Sequence, residues 1–376
     1  MNKVLWAILL LLLVCTGGIA AEGWNFTPLP LVFYTSDTGI AGGALLVAER
    51  SVPVYEGEVQ DDKRAAPPKG KEDTADGAGG GVLGDVLWQI AATYTQERQT
   101  EISSLFQSDF MNGAYRLTAN AGFFNTPSVF YGVGPDSDLE ESYEEQKLDF
   151  EFSCVRRLWK QLYAGPLYLY TNVEYTDFES DGAIAQYVHG SNNTGISSEL
   201  GLVLQWDSRS SLVYPRNGSY VELRALHSGT GLGSDFDFST VKLDARGYYE
   251  IIPDTVLALQ AIMQSSSGSV PLHKMEELGG VRVLRGYQFG RYRDESSAVV
   301  QGEVRFPIFN RLGGVVFGAA GQVEEGYSRF SLENTKAAGG LGFRFQPNKK
   351  SDVRIRVDLG FSRDFTGIYI TLLEAF

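Results

Sequence analysis

The sequence predicts an all-β chain that folds as a 16-stranded antiparallel transmembrane β-barrel with one extracellular loop folded inward. Apolar and polar residues alternate with a period of two in many segments of the chain. These segments are about ten residues long, the length that a tilted strand needs to cross a bilayer. Their polar faces carry both signs of charge, which suits a wet or salt-bridged lumen and would be costly against lipid. A soluble β-sandwich would also alternate, but the length and the charges favour the membrane barrel.

The alternation is clearest in two segments. Between residues 241 and 246, Val241, Leu243 and Ala245 face away from Lys242, Asp244 and Arg246. Between residues 353 and 361, an apolar face likewise opposes a face that carries arginines and Asp358. The predicted strands are 30–36, 39–50, 85–95, 100–109, 113–124, 144–156, 162–176, 196–207, 219–227, 237–251, 255–266, 297–307, 313–323, 337–346, 352–362 and 367–376. Because this number is even, both termini are expected on the periplasmic side.

The N-terminus predicts export. Lys3 precedes an apolar run over 4–14, and small residues follow up to Ala21. This pattern is typical of a secretory signal peptide, predicted over 1–20, with the barrel domain over 22–376. An uncleaved anchor is disfavoured because the run is too short to span a bilayer. A lipoprotein would need a small residue before Cys15, where Val14 stands. The predicted location is the bacterial outer membrane.

Residues 51–84 interrupt the strand pattern. They are rich in Gly, Lys, Glu and Asp, a composition that buries too little apolar surface to fold. We predict a disordered periplasmic insertion at 51–84. It is either a linker or a docking segment for a periplasmic partner.

Charge and motifs exclude several classes of function. The formal net charge is −14, which argues against nucleic acid as a partner. The chain contains no Gly-x-Ser-x-Gly elbow, and its three histidines match no metal-ligand spacing. The sequence therefore predicts no enzyme activity, no catalytic residue, no cofactor and no metal.

Two connections between predicted strands carry unusual residues. The stretch 278–295 is basic and jointed by glycines, and its arginines are Arg282, Arg285, Arg291 and Arg293. A predicted periplasmic turn contains Asp207 and Arg209, which are two apart and so able to pair on one face, followed by Pro215 and Gly218.

Four segments in order resemble those of a known family. They are Tyr131–Gly134, Asp207–Arg209 with Pro215 and Gly218, Leu284–Tyr287, and Glu303–Arg305 before Pro307. Together with Phe376, which resembles the C-terminal signal of outer-membrane barrels, they span nearly all of the predicted mature chain. The chain resembles the C-terminal barrel of the bacterial surface antigen family, the BamA/TamA group of outer-membrane assembly and translocation proteins.

The resemblance implies a role for the arginine loop. Arg285, Gly286 and Tyr287 match the family's lumen-loop motif, and Glu303 matches an acidic position on the barrel wall. A guanidinium buried without a partner costs several kcal/mol, so carboxylates are required around it. The family's second acidic position falls on Ala319, which cannot accept a hydrogen bond through its side chain. We therefore expect half of this arginine clasp to be missing or moved.

The function implied is insertion or translocation of protein, or of lipid, at the outer membrane. One departure is the short stretch between Ala21 and the first predicted strand, which leaves no room for the POTRA modules of assembly members. The alternative is a passive channel or a surface-structural barrel. Expected partners are outer-membrane lipid, lipopolysaccharide, the assembly machinery that inserts the barrel, and a protein or lipid cargo. Pro28 and Pro30 flank a short first strand, which predicts a weak seam with the last strand.

Overall fold

The structure is a computed structural model of the chain. It describes residues 24–50, 83–111, 113–137, 139–188, 194–347 and 352–376. The predicted signal peptide 1–20 lies outside the described residues, and so does most of the predicted insertion at 51–84. Within the described ranges, no helix is long and apolar enough to cross a membrane.

Sixteen strands of the described chain pair antiparallel and close into one barrel. The predicted fold class of an all-β, 16-stranded barrel is thereby confirmed. The barrel strands are β1 (Asn25–Thr35), β2 (Gly39–Arg50), β3 (Leu83–Thr95), β4 (Thr100–Phe110), β5 (Tyr115–Phe130), β6 (Glu141–Trp159), β7 (Leu162–Thr176), β8 (Thr194–Asp207), β9 (Gly218–Ser228), β10 (Phe238–Ile252), β11 (Thr255–Gly268), β14 (Ser296–Phe309), β15 (Leu312–Glu324), β16 (Lys336–Phe345), β17 (Ile355–Phe361) and β18 (Thr366–Leu372). Between β11 and β14, the short strands β12 (Glu276–Leu278) and β13 (Tyr292–Asp294) form a separate hairpin.

The alternation sorts side chains to the two faces of the wall. On β14, Glu303 and Arg305 are buried whereas Val300 is 59% exposed. On β17, Asp358 is buried whereas Leu359 is exposed. Charged groups thus face the interior and apolar groups face outward, as a membrane barrel requires.

The interior also has an apolar region. A cluster of buried side chains lies on β6 to β9, made of Val155, Tyr163, Leu167, Val203 and Leu226. On these strands, the buried face packs like the core of a soluble protein rather than lining an open aqueous channel.

The first strand differs from its prediction. β1 begins at Asn25 and contains Pro28 and Pro30, so the prediction of a short strand from residue 30 was wrong. All eleven residues of β1 pair with β2. Only Tyr34 and Thr35 pair with β18, opposite Ile370 and Tyr369. Proline has no N–H to donate and is tolerated where a strand has a free edge, which explains how β1 can contain two.

The C-terminus also differs from its prediction. We expected a strand over 367–376 with Phe376 on the same face as Ile368 and Ile370. β18 instead ends at Leu372, and Leu373 has a φ of +66° that turns the chain away from the strand. Phe376 is buried, whereas Ile368 and Ile370 are exposed.

Contacts of the last residues explain this turn. Phe376 packs in a buried cluster with Tyr248 of β10 and Val256 of β11. Arg305 donates a hydrogen bond to the Phe376 carbonyl oxygen at 3.0 Å. The C-terminal segment therefore packs against residues of β10, β11 and β14, and the aromatic ring gains apolar burial there.

Candidate functional site

The connection from β11 to β14, residues 269–295, carries the predicted motif. Gly279 has a φ of +110° and Gly280 a φ of +94°, a region that residues with a Cβ rarely adopt. The Gly280 N–H donates to the Tyr287 carbonyl at 2.9 Å. β12 and β13 pair on either side of this turn. The two glycines thus allow the chain to reverse direction. The hydrogen bond and the strand pairing then fix the position of the segment that contains Arg285.

Arg285 lies between two carboxylates. Its side chain is 1% exposed and forms ion pairs with Glu303 of β14 and Asp358 of β17. Its guanidinium carbon lies 3.7 Å from the centre of the Phe317 ring on β15. Two carboxylates and an aromatic face together compensate the cost of burying this charge.

The two carboxylates extend the cluster to further arginines. Glu303 also accepts a hydrogen bond from Arg305 at 2.9 Å, and Asp358 accepts one from Arg344 at 2.5 Å. Arg344 reaches Glu374 as well, at 2.6 Å. We call this set the arginine cluster: Arg285, Arg305, Arg344, Glu303, Asp358 and Glu374. Within this set three guanidinium groups contact three carboxylates in side chains that are nearly inaccessible to solvent, and Arg356 also approaches Asp358, at 3.6 Å.

The second carboxylate occupies a different strand from the one expected. Ala319 packs beside an apolar cluster and offers no acceptor, as the sequence implied. Asp358 supplies the carboxylate from β17 instead. A signal for it was available, because Asp358 lies on the polar face of its predicted strand with Arg354 and Arg356. The sequence did not indicate that β17 lies close enough to the loop for Asp358 to reach Arg285.

Gly286 and Tyr287 hold the loop beside β16 and β18. The Gly286 N–H donates to the Tyr369 hydroxyl at 3.1 Å, and the Tyr287 hydroxyl donates to the Ala337 carbonyl at 3.4 Å. The Tyr287 ring packs edge-on against Tyr292, with centroids 5.5 Å apart. Around them lies a buried apolar cluster that includes Leu278, Leu284, Val299 and Val323.

The other half of the loop reaches the opposite wall. Arg293 forms an ion pair with Glu277 within the loop and donates to the Tyr143 hydroxyl of β6 at 3.4 Å. Lys274 lies 2.8 Å from a Glu199 carboxylate oxygen of β8 and donates to Thr171 of β7 at 2.9 Å. The loop thus contacts strands on both sides of the barrel.

The predicted turn motif forms a compact unit after β8. Arg209 donates to both carboxylate oxygens of Asp207, at 2.9 and 2.7 Å. Its guanidinium carbon lies 4.5 Å from the centre of the Tyr220 ring. Gly218 has a φ of +100°, and a Cβ there would overlap Ser208. Pro215 lies in the same connection and is buried.

The described part of the chain brings no three or more His, Cys, Asp or Glu side chains together in a group that could hold a metal ion.

Comparison with known proteins shows which family the chain resembles. The model of the Omp85 superfamily domain matches residues 88–362. No curated protein matches the chain. Among solved structures, BamA from Haemophilus ducreyi lacking POTRA domains 1–3 is similar with a TM-score of 0.61 at 11% identity, covering 93% of this chain and 70% of that one.

Two further structures share the fold. CdiB from Acinetobacter baumannii has a TM-score of 0.54 at 12% identity, over 94% of this chain and 60% of that one. CdiB from Escherichia coli has a TM-score of 0.58 at 9% identity, over 94% of this chain and 64% of that one. The chain thus spans less than two thirds of either CdiB. The expected likeness to BamA-type barrels is confirmed, and the chain belongs to the Omp85 superfamily.

Proposed function

We propose that this protein inserts or translocates protein at the bacterial outer membrane through the seam between β1 and β18. The observation that carries the proposal is the difference between the two edges of β1. Eleven residues of β1 pair with β2, but two pair with β18. A free strand edge offers N–H and C=O groups to another strand. The fold shared with BamA and CdiB supports the same reading.

The loop at 269–295 would close the lumen in the resting barrel. Its contacts with Glu303 and Asp358 on one side, and with Tyr143 and Glu199 on the other, support a position across the interior. A barrel obstructed in this way suits a lateral route through the wall better than a central one. Export by the predicted signal peptide would deliver the chain to the assembly machinery, and lipopolysaccharide would surround its outer half.

A passive channel is the second candidate, and one observation favours it. A cavity of about 380 Å³ lies on the side of the barrel away from Arg285. Polar and charged side chains of β3 to β7 contribute to its lining, among them Gln89, Ser103, Asn120 and Asp149. Such a cavity could conduct small solutes past the loop.

A disulfide across the seam tests the proposal. The variant Tyr34→Cys with Ile370→Cys, in a Cys154→Ser background, joins registered partners of β1 and β18. We expect oxidation to stop function and reduction to restore it, read as the abundance of other outer-membrane barrels after depletion of the wild-type protein. The matched control, Val357→Cys with Ile370→Cys, joins β17 to β18 and should remain active when oxidised.

An unchanged outer-membrane proteome after depletion would contradict the translocation proposal. Recordings in planar bilayers then separate the candidates. An obstructed lumen gives small and irregular conductance, whereas steady large channels would support the passive channel.

A further inference from the structure

A cavity of about 410 Å³ lies beside the seam and is rich in arginine. Four arginines contribute to its lining, Arg209, Arg246, Arg282 and Arg356. Apolar residues of the two seam strands and of the chain end also line it, among them Leu31, Val32, Leu372 and Leu373. One cavity thus combines positive charge with an apolar border at the place where the wall is least paired.

Two of the four arginines are already neutralised. Arg209 forms its two hydrogen bonds to Asp207, and Arg246 lies 2.5 Å from a carboxylate oxygen of Asp244. Because each has a carboxylate of its own, neither needs a further anion.

The other two arginines have guanidinium N–H groups without a hydrogen-bond partner among the described residues. Arg282 is exposed, and its side chain has no partner among the described residues. Arg356 is 2% exposed, and its Nη1 has no hydrogen-bond partner in the described part of the chain. Its Nε donates to Thr371 at 2.9 Å and its Nη2 to the Val281 carbonyl oxygen at 3.1 Å, whereas the nearest carboxylate contact, with Asp358, is 3.6 Å. A buried, incompletely bonded guanidinium is costly unless an anion completes it.

The carboxylates around the cavity do not complete it. Glu374 lines the cavity but is held by Arg344 at 2.6 Å. The carbonyl oxygen of the terminal Phe376 is held by Arg305. Glu101 also lines the cavity and accepts a hydrogen bond from Ser103 at 3.2 Å, so it offsets part of the positive charge without a hydrogen bond to Arg282 or Arg356.

We propose that this cavity binds the phosphate group of an anionic phospholipid, held by Arg282 and Arg356. Two guanidinium groups match the planar hydrogen-bonding geometry of a phosphate. The residues of β1 before Tyr34 have no registered partner on β18, so acyl chains can leave the cavity sideways. Val32 is 73% exposed and Leu373 41% exposed beside this opening, and both offer apolar surface to an acyl chain. The inference requires a barrel in a lipid bilayer and does not rest on the proposed translocation.

Binding of phosphatidylglycerol to the purified, delipidated protein tests this site by native mass spectrometry. We expect one lipid retained per barrel, and about tenfold weaker retention in Arg282→Gln, corresponding to the loss of one charge-assisted contact. Arg363→Gln is the matched control, because Arg363 is 92% exposed in the β17–β18 turn and should leave retention unchanged. Arg356→Gln should weaken retention as well, in protein whose mobility in unheated gels shows a folded barrel.

Two further probes identify the chemical group. Diacylglycerol, which has no phosphate, should bind at least about tenfold more weakly than phosphatidylglycerol. Inorganic phosphate should displace the lipid only at far higher concentration, because it lacks the acyl contacts. Equal retention by Arg282→Gln and the wild type, equal binding of diacylglycerol, or displacement by phosphate at equal concentration would each overturn the assignment.

Discussion

Gly360 of β17 lies directly against the backbone of Arg285. A Cβ at position 360 would come within 2.8 Å of the Arg285 carbonyl oxygen, so glycine is what allows the loop to approach the wall this closely. The close approach sets the distance between the loop and β17. The ion pair between Arg285 and Asp358 depends on that distance.

Gly360→Ala should therefore displace the loop. We expect the barrel to fold, since the strand itself accepts alanine, but to become more susceptible to proteases within 269–295. Gly318→Ala on β15 is the matched control, because a Cβ there meets nothing closer than 4.0 Å. Equal cleavage rates of the two variants would show that the close approach does not hold the loop.

Removing the Asp358 carboxylate should destabilise the barrel. In Asp358→Asn, Arg285 keeps Glu303 and Arg344 keeps Glu374, but the cluster has one carboxylate too few. Breaking a buried ion pair costs about 3–5 kcal/mol. We expect the temperature at which the protein loses its fast mobility in detergent gels to fall. Asp364→Asn, at an exposed turn position, should leave it unchanged.

Arg285→Ala should open a path through the barrel. The variant leaves Glu303 and Asp358 without the loop cation, so the attraction between the loop and the wall is lost. We expect larger single-channel conductance in planar bilayers and greater entry of bulky antibiotics into cells. Arg363→Ala removes an exposed arginine and should change neither. If Arg285→Ala matched the wild type in both assays, the arginine would not secure the loop.

Phe376→Ala should weaken the chain end. The ring is 8% exposed and packs with Tyr248 and Val256. Truncation of a buried phenylalanine to alanine costs about 3–5 kcal/mol. The expected result is unfolding at lower temperature in detergent. Phe309→Ala, at a side chain that is 76% exposed, serves as the control and should shift the transition far less.

Asp37 predicts a pH dependence at the β1–β2 turn. Burial raises its pKa from 3.8 to about 6, although the Phe289 N–H that donates to it opposes the shift. The folded state binds the Asp37 proton more tightly than the unfolded state. The resulting contribution to the free energy of unfolding is therefore fully present below pH 3.8 and is lost as the pH rises through about 6. The shift corresponds to at most about 3 kcal/mol.

The measurement is thermal unfolding in detergent between pH 4 and 7. Asp37→Asn should flatten the decline in that range, because the amide carries no charge at any of these pH values. Asp181→Asn, in the connection after β7, is exposed and should keep the wild-type profile. A wild-type slope in Asp37→Asn would assign the dependence to other groups.

The barrel could be predicted because the alternation of polar and apolar residues within each strand depends only on neighbouring residues in the sequence. Each strand shows its two faces in the alternation, and β7 was predicted with the bounds that it has, Leu162–Thr176. The ends of the chain were harder. The proline-containing start of β1 breaks strand propensity, yet it pairs with β2 over its whole length. The last residues alternate like a strand, but burial of Phe376 beside Arg305 outweighs that pattern.

The sequence could predict the motif of the site and one of the two carboxylates that hold Arg285. Arg285 and Glu303 could be paired from a family pattern, whereas Asp358 required knowledge of which strand lies under the loop. Contacts between residues far apart in sequence depend on the closure of the whole barrel, and a period-two pattern contains no information about them.

The partners of the arginine cluster lie far apart along the chain, and several carboxylates follow the arginines that they bind. Arg285 precedes its partners Glu303 and Asp358 by 18 and 73 residues, and Arg344 precedes Glu374 by 30. Glu303 follows on β14, whereas Asp358 comes on β17 and Glu374 only after β18. Complete docking of the loop therefore requires β17, so a chain truncated before β17 would leave Arg285 with Glu303 as its only carboxylate in the arginine cluster.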